Sequence, residues 1–209
     1  MTIDDFLETF QRARASAIVR ADSQRLAADA MEAAIRGGFR VVEFTLTTPG
    51  VFELISDFSA REGLSVGAGT VLTVDQAARA VRAGAECLVS PVLDDKVVAA
   101  AQALGVAAMP GVHTPTELLR AHRAGAPLQK LFPAPAGGPA YLRSVRGPLP
   151  FLRVVPTNGV DAQNAKAWLD AGAFALGFAT SLFDPQLLQD RAFDRVEARA
   201  RALIAAVAD

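Results

Sequence analysis

Apolar positions recur along the chain in two alternating rhythms. Ala-rich stretches with a helical period end at a glycine, and a short continuous apolar run follows. The glycines are Gly37-Gly38, Gly63, Gly84, Gly105, Gly125, Gly147 and Gly172, spaced 20–26 residues apart. A glycine just past a helix end takes the left-handed cap that other residues adopt at a cost, and the run after it reads as a buried strand. Eight strands are expected, at residues 15–20, 40–45, 64–68, 86–90, 106–110, 128–132, 151–155 and 174–178. Helices are expected between them. That at 73–83 opens on Thr73, that at 114–124 opens on a Thr114/Glu117 capping box, and a third pattern covers 161–170. Continuous apolar strands alternating with helices imply a parallel α/β sheet covered on both faces. Eight such units predict a closed (β/α)8 TIM barrel in a single domain, residues 1–209. An extra N-terminal helix over residues 3–14, with Ile3, Phe6, Leu7 and Phe10 on one stripe, would cover the bottom of the barrel or a neighbouring subunit. An open doubly wound sheet is the alternative. It usually carries a glycine-rich phosphate turn after its first strand, and Val19-Arg20-Ala21-Asp22-Ser23 has no glycine.

Composition narrows the function. Of 209 residues 51% are apolar, 21% are charged, and the net charge is -1. That balance excludes a disordered chain and leaves no electrostatic footprint for nucleic acid or an anionic membrane. The one cysteine, Cys87, permits no internal disulfide and suits a reducing compartment. The acidic start Met1-Thr2-Ile3-Asp4-Asp5 is unlike a signal peptide, and no apolar run approaches a membrane span. A cytoplasmic protein is expected.

Two strand residues break their apolar surroundings. Lys130, one of only three lysines, shares parity with Leu128 and Phe132. If that face is the barrel interior, the ammonium is desolvated, and a buried amine is the nucleophile of Schiff-base enzymes. On an outer face the same lysine would simply extend into solvent. Lys96 and Lys166, on helical patterns, are expected to be solvated. Glu43 interrupts Val41-Val42-Glu43-Phe44-Thr45, where an unpaired carboxylate is rarely buried. It is either an acid/base group near Lys130 or a structural ion-pair partner of Arg20 or Arg40. His113 and His122 have no second ligand at metal spacing, and Ser90 lacks a base and acid in series. Gly67-Ala68-Gly69-Thr70 and Thr157-Asn158-Gly159 could offer backbone N–H groups to an anion.

At these residues the chain resembles the aldolase family that cleaves 2-keto-3-deoxy-6-phosphogluconate or its galactonate epimer. The resemblance rests on Val42-Glu43-Phe44-Thr45-Leu46, Gly67-Ala68-Gly69-Thr70-Val71-Leu72, Val89-Ser90-Pro91, Met109-Pro110-Gly111, Lys130-Leu131-Phe132-Pro133 and Pro156-Thr157-Asn158-Gly159-Val160. Ile18-Val19-Arg20 and Gly138-Pro139-Ala140-Tyr141-Leu142 look closer to the phosphogalactonate branch. The resemblance implies a class I barrel, usually a homotrimer, that needs no metal or cofactor and acts on a phosphorylated sugar acid to release pyruvate. It implies Lys130 as the Schiff-base lysine, Glu43 as the general acid/base, and Thr70 and Arg20 on the pyruvyl carboxylate. Pro91 and Phe132 would wall the pyruvyl pocket, and Thr157 would meet substrate hydroxyls. Asn158, Gly159, Ala179 and Thr180 would occupy the phosphate cradle. Thr47 stands where the phosphogluconate branch carries an Arg, which leaves the carboxylate to Arg20. Asn158 replaces a Gly, and Phe178-Ala179-Thr180 replaces a glycine-rich turn, so an unphosphorylated keto acid such as 4-hydroxy-2-oxoglutarate is the alternative substrate. Sugar-phosphate isomerisation, which needs paired acid/base groups, and a non-catalytic sugar-acid-binding relative are the other readings.

Overall fold

The computed structural model describes residues 2–208; Met1, the first residue of the acidic N-terminal stretch, and Asp209 lie outside the described residues. The elements run α1 (Ile3–Ala13), β1 (Ala15–Val19), α2 (Gln24–Arg36), β2 (Val41–Thr45), α3 (Val51–Ser59), β3 (Ser65–Gly69), α4 (Val74–Arg82), β4 (Cys87–Val89) and α5 (Asp95–Ala103). They continue as β5 (Ala107–Met109), β6 (Gly111–Val112), α6 (Pro115–Arg123), β7 (Gln129–Leu131), α7 (Gly138–Arg146), β8 (Val154–Pro156), α8 (Ala165–Asp170), β9 (Leu176–Phe178), α9 (Pro185–Gln189) and α10 (Phe193–Val207). The result is a parallel α/β fold with a curled sheet.

The strands form two sheets, ordered β5-β4-β3-β2-β1-β9 and β6-β7-β8, with every pairing parallel. The split corrects the expectation of one continuous fifth strand. Pro110 has no N–H to give the ladder, so the strand breaks there into β5, which pairs with β4, and β6, which pairs with β7. The chain itself thus carries one sheet into the other. At the opposite edges a single parallel bridge, Thr157↔Gly177, joins β8 to β9. The strand expected at 151–155 starts later, at Val154. Leu152 N–H closes a turn onto Leu149 O, and Phe151 is half exposed with its ring 4.8 Å from His122.

Helix starts follow the hydroxyl signals. Thr114 accepts from Glu117 N (3.3 Å) while Glu117 accepts from Thr114 N (2.8 Å), and Thr73 accepts from Gln76 N (3.1 Å). Among the expected cap glycines, Gly84 (φ 105°) is left-handed, whereas Gly147 (φ -49°) ends α7 in a right-handed turn.

Strand parity sorts the side chains into two layers. Val42 and Phe44 of β2 point outward to buried helix residues such as Met31, Ile55 and Phe58. The opposite face carries Val41, Glu43 and Thr45. At its base, Val41, Cys87, Val89, Met109, Leu128 and Val155 form an apolar layer closed by Phe6, Leu7 and Phe10 of α1. The extra helix therefore covers the base of its own chain. Its start is fixed by a Thr2/Asp5 capping box. Among the described residues no helix is long and apolar enough to cross a membrane.

Phe10 is 1% exposed and anchors this closure. Phe10→Ala should cost about 3–5 kcal/mol. Urea unfolding should show a lowered midpoint with an unchanged slope; an unaltered midpoint would mean that α1 does not contribute to the core.

Candidate active site

Lys130 lies in the middle of β7. Its backbone N–H donates to Pro110 O (3.0 Å), and its register partners are Gly111 and Val155. The outward neighbour Gln129 is fixed on both sides, its Nε2 donating to Ala126 O (2.9 Å) and its Oε1 accepting from Arg153 N (3.0 Å). That leaves Lys130 to turn inward, where it is 7% exposed and its Nζ stands 5.1 Å from the Phe132 ring centroid. The other lysines are unlike it. Lys96 is exposed at the start of α5, and Lys166 pairs with Asp170 on the surface of α8 (3.2 Å).

Glu43, on β2, is 3% exposed, and its Oε2 has no hydrogen-bond partner among the described residues. The ion-pair alternative is not what the structure holds. Arg40 donates to the carbonyls of Ile35 and Phe39, and Arg20 donates to Thr47 and Thr70. Burial raises the Glu43 carboxyl above its ordinary range, opposed by the positive charges of Lys130 and Arg20. Gly69 makes the carboxyl group's position possible, since a Cβ there would collide with Glu43 Oε1 and Cδ. Room for the acid, more than an anion nest, accounts for the second glycine of Gly67-Ala68-Gly69. Beneath the pair, Cys87 is buried and its thiol is pushed up, away from thiolate reactivity.

Lys130 and Glu43 share a cavity of about 770 Å³. Of the other expected site residues, Arg20, Thr70, Pro91, Phe132, Thr157, Asn158, Ala179 and Thr180 also line it. Gly159 does not. It borders a neighbouring hollow with Asp161, Asp184 and Arg199, and its carbonyl is held from outside by Asn164 Nδ2 (3.0 Å). Thr70 is a β-branched residue at φ 62°, a conformation that costs roughly 1–3 kcal/mol and is kept where geometry matters. Sequence reasoning did not single out Asp22, Leu26, Phe183 and the α9 residues Pro185, Leu188 and Gln189, which also line the cavity. Asp184-Pro185, an N-cap followed by proline, was the available signal for α9. His113 lies outside the cavity, with Nδ1 2.9 Å from Pro133 O and its own carbonyl accepting from Tyr141 Oη (2.6 Å). Ser90 is buried with its N–H bonded to Met109 O. No group of three or more His, Cys, Asp or Glu among the described residues could hold a metal ion.

An amine kept from water, an acid that burial keeps protonated further up the pH scale, and a guanidinium with no carboxylate partner among the described residues stand around one cavity. That set can add to a carbonyl, move a proton and anchor an anion.

Comparison with known proteins agrees with this chemistry. Residues 7–199 match the family model for KDPG and KHG aldolase. A curated relative, the probable 2-dehydro-3-deoxy-6-phosphogalactonate aldolase of Rhizobium meliloti (strain 1021), is 36% identical over 172 residues, 81% of each chain. The native KDPGal structure superposes with a TM-score of 0.84 at 30% identity, covering 92% of this chain and 93% of that one. The KDPG aldolase of Legionella pneumophila, with pyruvate captured at low pH as a covalent carbinolamine intermediate, gives 0.84 at 25% identity, covering 94% and 97%.

The raised Glu43 carboxyl has a consequence for stability. Between its ordinary value of 4.5 and its higher folded value, the folded chain keeps a proton that the unfolded chain releases. The associated stability is complete below the ordinary value and is lost as pH rises through the folded one. Glu43→Gln cannot ionise, so its Tm relative to the unsubstituted protein should climb with pH across that window. A pH-independent difference in thermal unfolding would contradict the assignment.

Proposed function

The chain belongs to the KDPG and KHG aldolase family, and from that premise we propose that it is a class I aldolase cleaving a 2-keto-3-deoxy-6-phospho sugar acid to pyruvate and glyceraldehyde 3-phosphate. The observation that carries this reading is a 7%-exposed amine, Lys130, sharing one cavity with the buried acid Glu43. The Lys130 amine adds to the C2 ketone. Glu43 moves protons while water leaves the carbinolamine and the iminium forms. Glu43 then takes the C4 hydroxyl proton, the C3–C4 bond breaks, and its electrons pass into the iminium to give an enamine. Release of the aldehyde, protonation of C3 and hydrolysis yield pyruvate and the free amine. Arg20 and Thr70 hold the carboxylate, so binding energy aims the ketone at Nζ. Pro91 and Phe132 flank the pyruvyl part, and Thr157 meets the hydroxyls. The pyruvate captured as a covalent carbinolamine in the Legionella relative supports addition of an amine to the ketone.

The phosphate end would lie toward Asn158, Ala179 and Thr180, with Gly159 set aside by its place outside the cavity. That displacement, with Asp22 in the cavity lining, favours a second reading in which the keto acid is unphosphorylated, as in 4-hydroxy-2-oxoglutarate. Relative turnover of the two substrates separates these readings.

We further infer that the sheets close into a (β/α)8 barrel forming one domain. The chain running through Pro110 and the Thr157↔Gly177 bridge support closure. Exposed Leu72, Val74 and Val92 near the ends of β3 and β4 support self-association, for which we propose the homotrimer that the family resemblance implies. A single buried cysteine suits the cytoplasm.

Borohydride reduction in the presence of pyruvate should leave an adduct on Lys130 alone, read by peptide mass mapping. Lys130→Arg should abolish cleavage with the fold intact by circular dichroism. An adduct spread over Lys96 and Lys166, or cleavage by the variant, would remove the proposal.

A further inference from the structure

Arg20 leaves β1 at the rim of the cavity, and what holds its guanidinium is unusual in kind. Nη1 donates to Thr47 Oγ1 (2.9 Å) and Nη2 to Thr70 Oγ1 (3.3 Å). Thr47 Oγ1 is 3.1 Å from Thr45 Oγ1, which is 3.5 Å from Thr48 Oγ1. Thr48 Oγ1 in turn accepts from Ala21 N (3.3 Å), the backbone of Arg20's own neighbour. Four hydrogen bonds thus make a ring that leaves the Arg20 side chain, crosses three threonines and returns to the same loop. Thr45 and Thr48 are each 2% exposed, so the inner part of the ring is shielded from water.

We propose that Thr47, through Thr45 and Thr48, is a positioning residue that presets the Arg20 guanidinium for a substrate carboxylate. The inference rests on the reading of Arg20 as the carboxylate anchor. A guanidinium only donates, so Thr47 Oγ1 accepts from it and can point its own proton to Thr45. Each bond polarises the next, and this strengthens the chain where water is excluded. The choice of hydroxyls matters. An Asp or Glu would fix Arg20 equally well but would neutralise it and compete with the incoming anion. Threonines fix the fork and leave its positive charge unneutralised at the exposed rim, where Arg20 lines the cavity. They also reduce the rotamer freedom that a long arginine would otherwise lose on binding. Thr47 itself does not line the cavity. Its effect is on binding and orientation, with the Lys130 chemistry untouched.

The test uses lactate, which carries the carboxylate but no ketone and cannot form a Schiff base. In Thr47→Val its NMR-detected Kd should rise roughly five- to tenfold, the net effect of about one hydrogen bond lost where water can partly replace it. KM for the keto acid should rise by a similar factor while kcat changes less than about twofold. Thr47→Ser, which keeps the hydroxyl, should restore both. Lactate binding in Thr47→Val as tight as in the unsubstituted protein, no lactate binding in the latter, or no rescue by serine would each overturn the proposal. Pyruvate trapping on Lys130 reports separately on the lyase reading. A loss of trapping with the lactate effect intact removes the aldolase assignment and leaves the threonine ring standing.

Discussion

The constraint that organises this molecule is the cost of keeping an amine and a carboxyl group out of water without letting them neutralise each other directly. Leaving a buried ionisable group uncompensated costs several kcal/mol, roughly, and the usual remedy is a close ion pair. Here the remedy is distributed. Lys130 has an aromatic face 5.1 Å away, and Glu43 lies in space vacated by a side chain at Gly69. Positive charge reaches the acid from Lys130 and Arg20 through the cavity. A direct pair would quench both groups, whereas this arrangement leaves each able to exchange a proton or form a bond.

Parallel-sheet geometry makes the arrangement possible. The inward face of β2 changes character along its length, from Val41 at the apolar base through Glu43 to Thr45 near the rim. Neighbouring strands repeat this gradient, with Cys87 and Leu128 low and Lys130 and Thr157 higher. The buried acid, amine and hydroxyl groups therefore project toward the strand ends, above an apolar layer packed on α1.

Much of this was legible in the chain. Lys130 and Glu43 could be located because a charge inside an apolar strand leaves few alternatives, and period-two parity placed Lys130 with Phe132. Capping boxes at Thr114 and the apolar stripe of α1 were equally local signals. What was not legible depends on residues distant in sequence. The Arg20–Thr47 and Arg20–Thr70 bonds span 27 and 50 positions. The hollow that Gly159 borders is closed by Asp184 and Arg199, which lie 25 and 40 positions further on. The break at Pro110 was readable in principle, since proline cannot donate to a ladder, but apolar continuity through Val106 and Met109 concealed it.

The helix under the sheet has a kinetic corollary. Phe6 and Phe10 stop the lower end, with a void of about 10 Å³ between them and Glu43, so the base offers a ligand no room. On the proposed chemistry the fragment tethered to Lys130 is the innermost, so departure is sequential: the aldehyde exits first and the keto acid last. Reversed, the same traffic rule makes the keto acid the obligatory first arrival when a carbon–carbon bond is to be made.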